Sequence, residues 1–108
     1  MSGNHISLLE FYETHSQLAE GEVILDVRTA EEFNEAHIPQ AINIPLDQLP
    51  HRSADLKNFK KIYIHCKRGG RARTGFDLLK SMGFDNILCV HDAGMDLWLE
   101  KGFPVKRN

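Results

Sequence analysis

Cysteine is scarce in this chain, and no long apolar run occurs. Two cysteines among 108 residues, Cys66 and Cys89, are too few for a disulfide scaffold, so we expect the cytoplasm, where thiols stay reduced. The first twenty residues contain Glu10, Glu13 and Glu20 and no stretch of signal-peptide type. No later stretch is long enough to cross a bilayer. The sequence therefore predicts neither a secretory signal nor contact with a membrane.

An excess of charge of one sign is also missing. The 13 lysines and arginines are balanced by 15 aspartates and glutamates, for a formal net charge of -2. Bulk charge therefore does not support a role in binding nucleic acid or a membrane surface. The six histidines are scattered without the spacing of metal ligands, so we expect no metal site. Repeats and linkers are absent, and 42% hydrophobic residues fit one globular domain over residues 1–108.

What the sequence does contain is an alternation of short apolar runs with amphipathic segments. Strands are predicted at 22–27, 41–45, 60–66 and 86–92, and a short one near residue 6. Helices are predicted from there to Gly21, at 28–37, at 70–83 and at 94–102, with helical pieces interrupted by Pro50 at 46–56. Thr29 and Glu32 have the spacing of a capping box. The alternation predicts an α/β fold with a central parallel sheet and helices on both faces.

Cys66 lies where such folds bind ligands, at the carboxyl end of a predicted strand and just before a helix. Gly69 and Gly70 allow the intervening loop to approach a ligand with its N–H groups. The helix directs the positive end of its dipole toward the sulfur. Four cations lie within a few residues: Lys67, Arg68, Arg71 and Arg73. Each feature favours the thiolate, so the loop is interpreted as an anion cradle around a nucleophilic sulfur.

The alternative for Cys66 is a packed thiol at a strand end, beneath a solvated basic loop. Cys89 is the contrast within the same chain. It lies inside the apolar run "NILCV", with neither cations nor glycines next to it, and is interpreted as a core residue.

Three segments, in order, resemble the rhodanese family of single-domain sulfurtransferases. They are "LDVRTAEEFNEAHIPQAINIP", "CKRGGRA" and "AGMDLWLEKGFPV", and the resemblance extends over about residues 6–105. The family's patterns are Asp-Val-Arg through Gly-His-Ile-Pro-Gly-Ala, then Cys-x-x-Gly-x-Arg, then a glycine pair, Trp and Gly-x-Pro-Val. Ala36, Gln40 and Ala93 stand where the family usually has glycine, which bears on local turns.

The resemblance implies a rhodanese-like domain and a two-step reaction without metal or cofactor. The Cys66 thiolate takes the outer sulfur of thiosulfate as a persulfide, and cyanide or a thiol then removes it. It also assigns roles. Arg71 is expected to bind the sulfonate, because a guanidinium offers paired donors to an oxyanion. The N–H groups of the loop that contains Gly69 and Gly70 are expected to stabilise charge on the sulfur.

The remaining polar residues have interpretations that differ from catalysis. Lys67 and Arg68 either contact the donor or are solvated charges that steer it. Asp26 and Arg28, at the end of another strand, are expected to brace the loop. His37 is expected to form a structural hydrogen bond. His65 precedes the nucleophile, so strand alternation directs it the opposite way.

The sequence disfavours two other functions and one other sulfur donor. Phosphatases and arsenate reductases of this fold place five residues between cysteine and arginine, and here that position is Ala72. A non-enzymatic interaction module is disfavoured because inactive family members typically lose the cysteine. Mercaptopyruvate users tend to have a small neutral loop, unlike Lys67, Arg68 and Arg71. A persulfide carrier that delivers sulfur to a partner protein stays open beside the thiosulfate reaction.

Overall fold

The computed structural model describes residues 4–108. They form a five-stranded sheet in the order β1-β5-β4-β2-β3, with every pair of neighbours parallel. The strands are β1 His5–Ile6, β2 Glu22–Asp26, β3 Ile42–Asn43, β4 Lys61–His65 and β5 Ile87–Val90. The helices are α1 Leu8–His15, α2 Ala30–Glu35, α3 Leu49–Arg52, α4 Gly70–Ser81 and α5 Met95–Glu100. The predicted parallel α/β sheet is confirmed.

Both faces of the sheet are covered, which also confirms the prediction. On one face, Ile62 and Ile64 of β4 pack with α3 and α4 side chains such as Leu49 and Leu79. On the other face, Tyr63 belongs to a second cluster with α1 and α5, whose members include Phe11 and Trp98. Alternate residues of one strand therefore face two different apolar layers. Among the described helices, the longest has 12 residues, and none has the length and apolar character needed to cross a membrane.

The two central strands, β2 and β4, end side by side at the edge of the sheet where Cys66 lies. β2 and β4 are almost wholly buried, as expected for near-continuous apolar runs in a parallel sheet. Their register pairs Asp26 with His65, and the N–H of Val27 donates to the His65 carbonyl at 3.2 Å. The segment after Asp26 and the loop after His65 therefore leave the same edge of the sheet as neighbours.

Some helix boundaries differ from the predictions. α1 ends at His15 rather than at Gly21. A turn follows the helix, in which the N–H of Gln17 donates to the carbonyl of Thr14. Gly21, with φ of 89°, then lets the backbone change direction into β2. The helical pieces predicted at 46–56 are present as a 3-10 turn Leu46–Gln48, α3 and a 3-10 turn Ser53–Leu56. None of these pieces is interrupted by Pro50. Pro50 lies in the first turn of α3. A backbone N–H at that position would have no intrahelical acceptor, so proline, which lacks the N–H, is tolerated there.

The three positions where the family usually has glycine have different local geometry. Ala36 has φ of -168°, an extended conformation open to any residue. Gln40 has φ of 74°, in the left-handed region that glycine adopts without strain. Ala93 is half-buried and packs against the second core cluster. Only the substitution at position 40 therefore places a side chain on strained backbone.

Candidate active site

The sulfur of Cys66 lies beneath the loop that follows β4. Only 1% of the residue is exposed. Its Sγ accepts the N–H of Gly69 at 3.0 Å and the N–H of Ala72 at 3.2 Å. The first N–H groups of a helix have no intrahelical acceptor, and at the start of α4 the sulfur takes that place. Two aligned N–H dipoles at a helix N-terminus stabilise negative charge on the sulfur.

The two loop glycines differ in how closely the surrounding protein approaches them. Gly69 has φ of 111°, and a Cβ there would lie 2.6 Å from the carbonyl oxygen of His91. No other residue fits that backbone without displacing His91, which follows β5. Gly70 begins α4, and a Cβ there would meet nothing within 4 Å. The surrounding protein therefore requires a glycine at position 69 but not at position 70, and the approach of both N–H groups to a ligand stays a prediction.

Gly94 is a site-forming residue that the sequence interpretation did not single out. A Cβ at Gly94 would collide with the carbonyl oxygen of Cys66 and lie 2.6 Å from both the carbonyl carbon and the oxygen of Lys67. Just beyond it, the N–H groups of Met95 and Asp96 donate to those two carbonyls at 2.9 and 3.1 Å. The start of α5 therefore clamps the backbone of the Cys66 loop. The segment "AGMDLWLEKGFPV", which contains Gly94, was the signal in the sequence that could have indicated this contact.

Arg71 forms an ion pair with Glu32 of α2. Nη1 and Nη2 of Arg71 donate to Oε1 and Oε2 of Glu32 at 2.7 and 3.1 Å. The hydrogen bonds from Arg71 lower the pKa of Glu32 to about 2, although its partial burial acts in the opposite direction. The same bonds raise the pKa of Arg71. The arginine predicted to bind a sulfonate thus already holds a carboxylate in the paired geometry that suits both anions.

The other cations of the loop point to different partners. Nε of Arg68 donates to Asp96 at 2.8 Å in an exposed pair. Nη1 of Arg73 donates to the His91 carbonyl at 2.6 Å. Lys67 is exposed and has no acidic partner within 4.0 Å among residues 4–108. It borders a cavity of about 220 Å³ that is also lined by Arg28 and Met95.

Asp26 and Arg28 form a buried brace beside the loop. Arg28 binds the Asp26 carboxylate through Nε at 3.0 Å and Nη2 at 2.7 Å, and the two residues are 4% and 0% exposed. Nη2 of Arg28 also donates to the Ala36 carbonyl. Asn43 donates to the carbonyls of both Asp26 and Arg28. These contacts tie β2, β3 and α2 together, and the support of the Cys66 loop by Asp26 and Arg28 stays a prediction.

The two histidines near these motifs have structural surroundings. His65 is fully buried, and burial lowers its pKa despite the opposing effect of Asp26. Its ring lies 5.9 Å from Phe11, on the face opposite to the cluster that contains Cys66. His37 stacks on Phe33 and its Nδ1 lies 2.8 Å from the Phe33 carbonyl oxygen. Within residues 4–108, no three His, Cys, Asp or Glu side chains converge to hold a metal ion.

The comparison with known proteins decides the family. The family model for the rhodanese-like domain matches residues 10–101 of this chain. The chain belongs to the rhodanese-like family. Thiosulfate sulfurtransferase 16, chloroplastic, of Arabidopsis thaliana is 31% identical to this rhodanese-like domain over 104 residues, which cover 85% of this chain and 86% of the relative. The putative sulfur carrier protein YrkF of Bacillus subtilis (strain 168) is 38% identical over 78 residues. The matched region covers 72% of this chain but only 42% of YrkF.

A solved structure extends the likeness to the whole rhodanese-like fold. A rhodanese-related protein from Thermoplasma volcanium has a TM-score of 0.83 and 28% identity, and the match covers 97% of this chain and 99% of that one. The family resemblance seen in the three motifs is confirmed. The named relatives of this rhodanese-like domain include sulfurtransferases and a putative sulfur carrier protein.

Proposed function

We propose that this domain transfers a sulfane sulfur from thiosulfate to cyanide or a thiol through a persulfide on Cys66. The observation that carries the proposal is the pair of N–H bonds from Gly69 and Ala72 to Sγ. A buried sulfur held by two N–H donors is suited to bear the negative charge that a nucleophile needs. Cys89, the other free thiol, accepts no such N–H bonds within residues 4–108, and burial raises its pKa to about 12.

The reaction has two balanced steps. The thiolate of Cys66 attacks the outer sulfur of thiosulfate, a new S–S bond forms, and the S–S bond of the donor breaks with its electron pair leaving on sulfite. The acceptor then attacks the outer persulfide sulfur and carries it away, and the Cys66 thiolate returns. Both steps leave negative charge on Sγ or on its attached sulfur, where the N–H groups of the loop lie. No metal or cofactor takes part.

Arg71, Lys67 and Arg68 are proposed to act on the donor anion. Arg71 is supported as the sulfonate contact by its place in the first turn of α4 and by its paired binding of a carboxylate. Lys67 is exposed at the rim of the loop and suits a steering role. Arg68 is engaged with Asp96 at the surface, which supports steering rather than direct contact. Asp26 and Arg28 are proposed to support the loop from β2.

A phosphatase or arsenate reductase is the less suitable function. The position six residues after Cys66, counting the cysteine as zero, is Ala72, which is buried and offers only its N–H to the sulfur. The neighbouring guanidinium of Arg71 is directed to Glu32. No described side chain therefore supplies the arginine that would wrap a bound phosphate.

A persulfide carrier that passes sulfur to a partner protein is a variant of the same proposal. It is supported by the likeness to a protein named as a putative sulfur carrier. The chemistry at Cys66 is unchanged, and only the acceptor differs.

Free thiols at positions 66 and 89 suit a reducing compartment such as the cytoplasm.

Mass spectrometry after thiosulfate treatment tests the proposal. We expect one added sulfur on the peptide that contains Cys66, and its removal by cyanide. Cys66→Ser should lose both the modification and the transfer, whereas Cys89→Ser should keep them. An unmodified Cys66 peptide, or thiosulfate-to-cyanide transfer by Cys66→Ser, would contradict the mechanism. Hydrolysis of a generic aryl phosphate by the parent protein would favour the phosphatase instead.

A further inference from the structure

The carboxylate of Glu32 is fixed in position by its own helix, independently of Arg71. Its Oε1 accepts the N–H of Thr29 at 2.9 Å and the Thr29 hydroxyl at 3.2 Å. The N–H of Glu32 in turn donates to the Thr29 hydroxyl oxygen. This capping box at the start of α2 holds the carboxylate still, so Arg71 binds a preorganised anion rather than a mobile side chain.

That carboxylate takes the place in which the proposed function puts a substrate group. A carboxylate and a sulfonate both present two oxygens to the paired N–H donors of a guanidinium. In Arg71 both terminal nitrogens already donate to Glu32. A sulfonate that approaches the same edge meets a fixed negative charge and has to displace it. The Glu32 and Arg71 side chains are 27% and 34% exposed, so the exchange takes place at the solvent-facing rim.

The other cations of the loop offset the negative charge of Glu32 only partly. Arg68 is paired with Asp96 and Arg73 is bound to the His91 carbonyl. Within the described residues, Lys67 is the cation of the loop that has neither an acidic partner nor a carbonyl acceptor. The attraction for a dianion is therefore smaller than the four cations of the sequence indicate.

We propose that Glu32 is a specificity-determining residue, whose carboxylate occupies the Arg71 edge and thereby disfavours donors that carry a sulfonate or carboxylate beside the reacting atom. Donors without such a group, for example a small organic persulfide, do not compete with Glu32 and are unaffected. The part that concerns sulfur donors rests on the proposed function. The occupation of Arg71 by Glu32 does not, and it is testable at Cys66 without sulfur transfer.

Glu32→Gln is the variant that isolates the charge. Glutamine keeps an oxygen for the Thr29 cap, since the capping box accepts either residue, but it removes the negative charge and one of the two acceptors of Arg71. Glu31→Gln is the matched control. It makes the same change at the neighbouring, exposed position of α2, which has no contact with Arg71.

The first measurement compares alkylation of Cys66 by anionic iodoacetate and neutral iodoacetamide, followed on the Cys66 peptide. Glu32→Gln should raise the ratio of the iodoacetate rate to the iodoacetamide rate by roughly fivefold, the scale of a partly exposed ion pair, and added salt should reduce the gain. Glu31→Gln should leave the ratio near that of the parent. Arg71→Ala exposes the Glu32 charge and should lower the ratio, while the double variant should return it to the parental value.

The second measurement is steady-state transfer to cyanide. Glu32→Gln should lower the KM for thiosulfate by a similar factor and leave a small organic persulfide unaffected. An unchanged alkylation ratio, or an equal loss with both reagents, would show that Glu32 only braces the loop and would overturn the inference. A raised ratio in a protein that forms no persulfide would uphold the role of Glu32 and refute the sulfurtransferase proposal. If Glu32→Gln does not fold, Glu32→Ala replaces it in the same comparison: a raised ratio supports the inference, and an unchanged ratio or equal slowing of both reagents overturns it.

Discussion

Gly94→Ala should dismantle the Cys66 loop from outside it. The added Cβ would lie 2.6 Å from the carbonyl carbon and oxygen of Lys67 and would collide with the carbonyl oxygen of Cys66. Carbon and oxygen atoms that are not bonded ordinarily stay about 3.3 to 3.6 Å apart. All three contacts are with backbone atoms, so no side chain can swing aside. The start of α5 and the loop must therefore separate by roughly 1 Å.

That separation has two measurable consequences. The hydrogen bonds from Met95 to Cys66 and from Asp96 to Lys67, at 2.9 and 3.1 Å, are stretched or lost. Each unsatisfied buried group costs about 1 to 3 kcal/mol, so the loss of both bonds should lower the free energy of unfolding by about 2 to 6 kcal/mol. A displacement of the nucleophile by roughly 1 Å costs on the order of a hundredfold in rate, so thiosulfate-to-cyanide transfer should fall by about that factor.

Two glycine controls separate the clash from the substitution itself. Gly102→Ala makes the same change at a residue with φ of 71° and nothing within 4 Å. It should cost about 1 to 2 kcal/mol through backbone strain but keep the transfer rate. Gly70→Ala, in open space at the start of α4, should not lower stability. A Gly94→Ala protein that melts within a few degrees of the parent and transfers sulfur at the parental rate would refute the close approach.

Three further predictions concern other groups. Burial raises the pKa of Cys89 to about 12, so Cys89 should resist iodoacetamide at neutral pH until the protein unfolds, whereas alkylation in the native state would disprove its burial. The pKa of Glu32 is lowered from 4.5 to about 2; its contribution to stability is therefore complete above pH 4.5 and lost as the pH falls toward 2. Urea denaturation of Glu32→Gln should show a flatter pH dependence in that window, and an unchanged slope would contradict the ion pair with Arg71. Gln40→Gly should relieve the left-handed backbone and raise the free energy of unfolding by up to about 1 kcal/mol, and a lower value would show that position 40 is unstrained.

Much of the fold was predictable because its causes are local. The apolar runs that became β2 and β4 are continuous in the sequence, and the capping box of Thr29 with Glu32 spans three residues. The placement of Cys66 beneath its loop was predictable in the same way. A strand end, a glycine and a helix start follow one another along the chain, and the N–H bonds to Sγ come from residues three and six positions ahead.

The partners of the loop were decided by tertiary structure, because they come from elements distant in sequence. Arg71 and Glu32 are 39 residues apart, and they meet because β2 and β4 are neighbours in the sheet. From the sequence, Arg71 was expected to be available to an anion, whereas in the fold its guanidinium binds the carboxylate of Glu32. Gly94 touches the loop because β5 lies on the other side of β4. Composition along the chain determines where a reactive cysteine can arise, but strand order determines which charges and which backbone surround it.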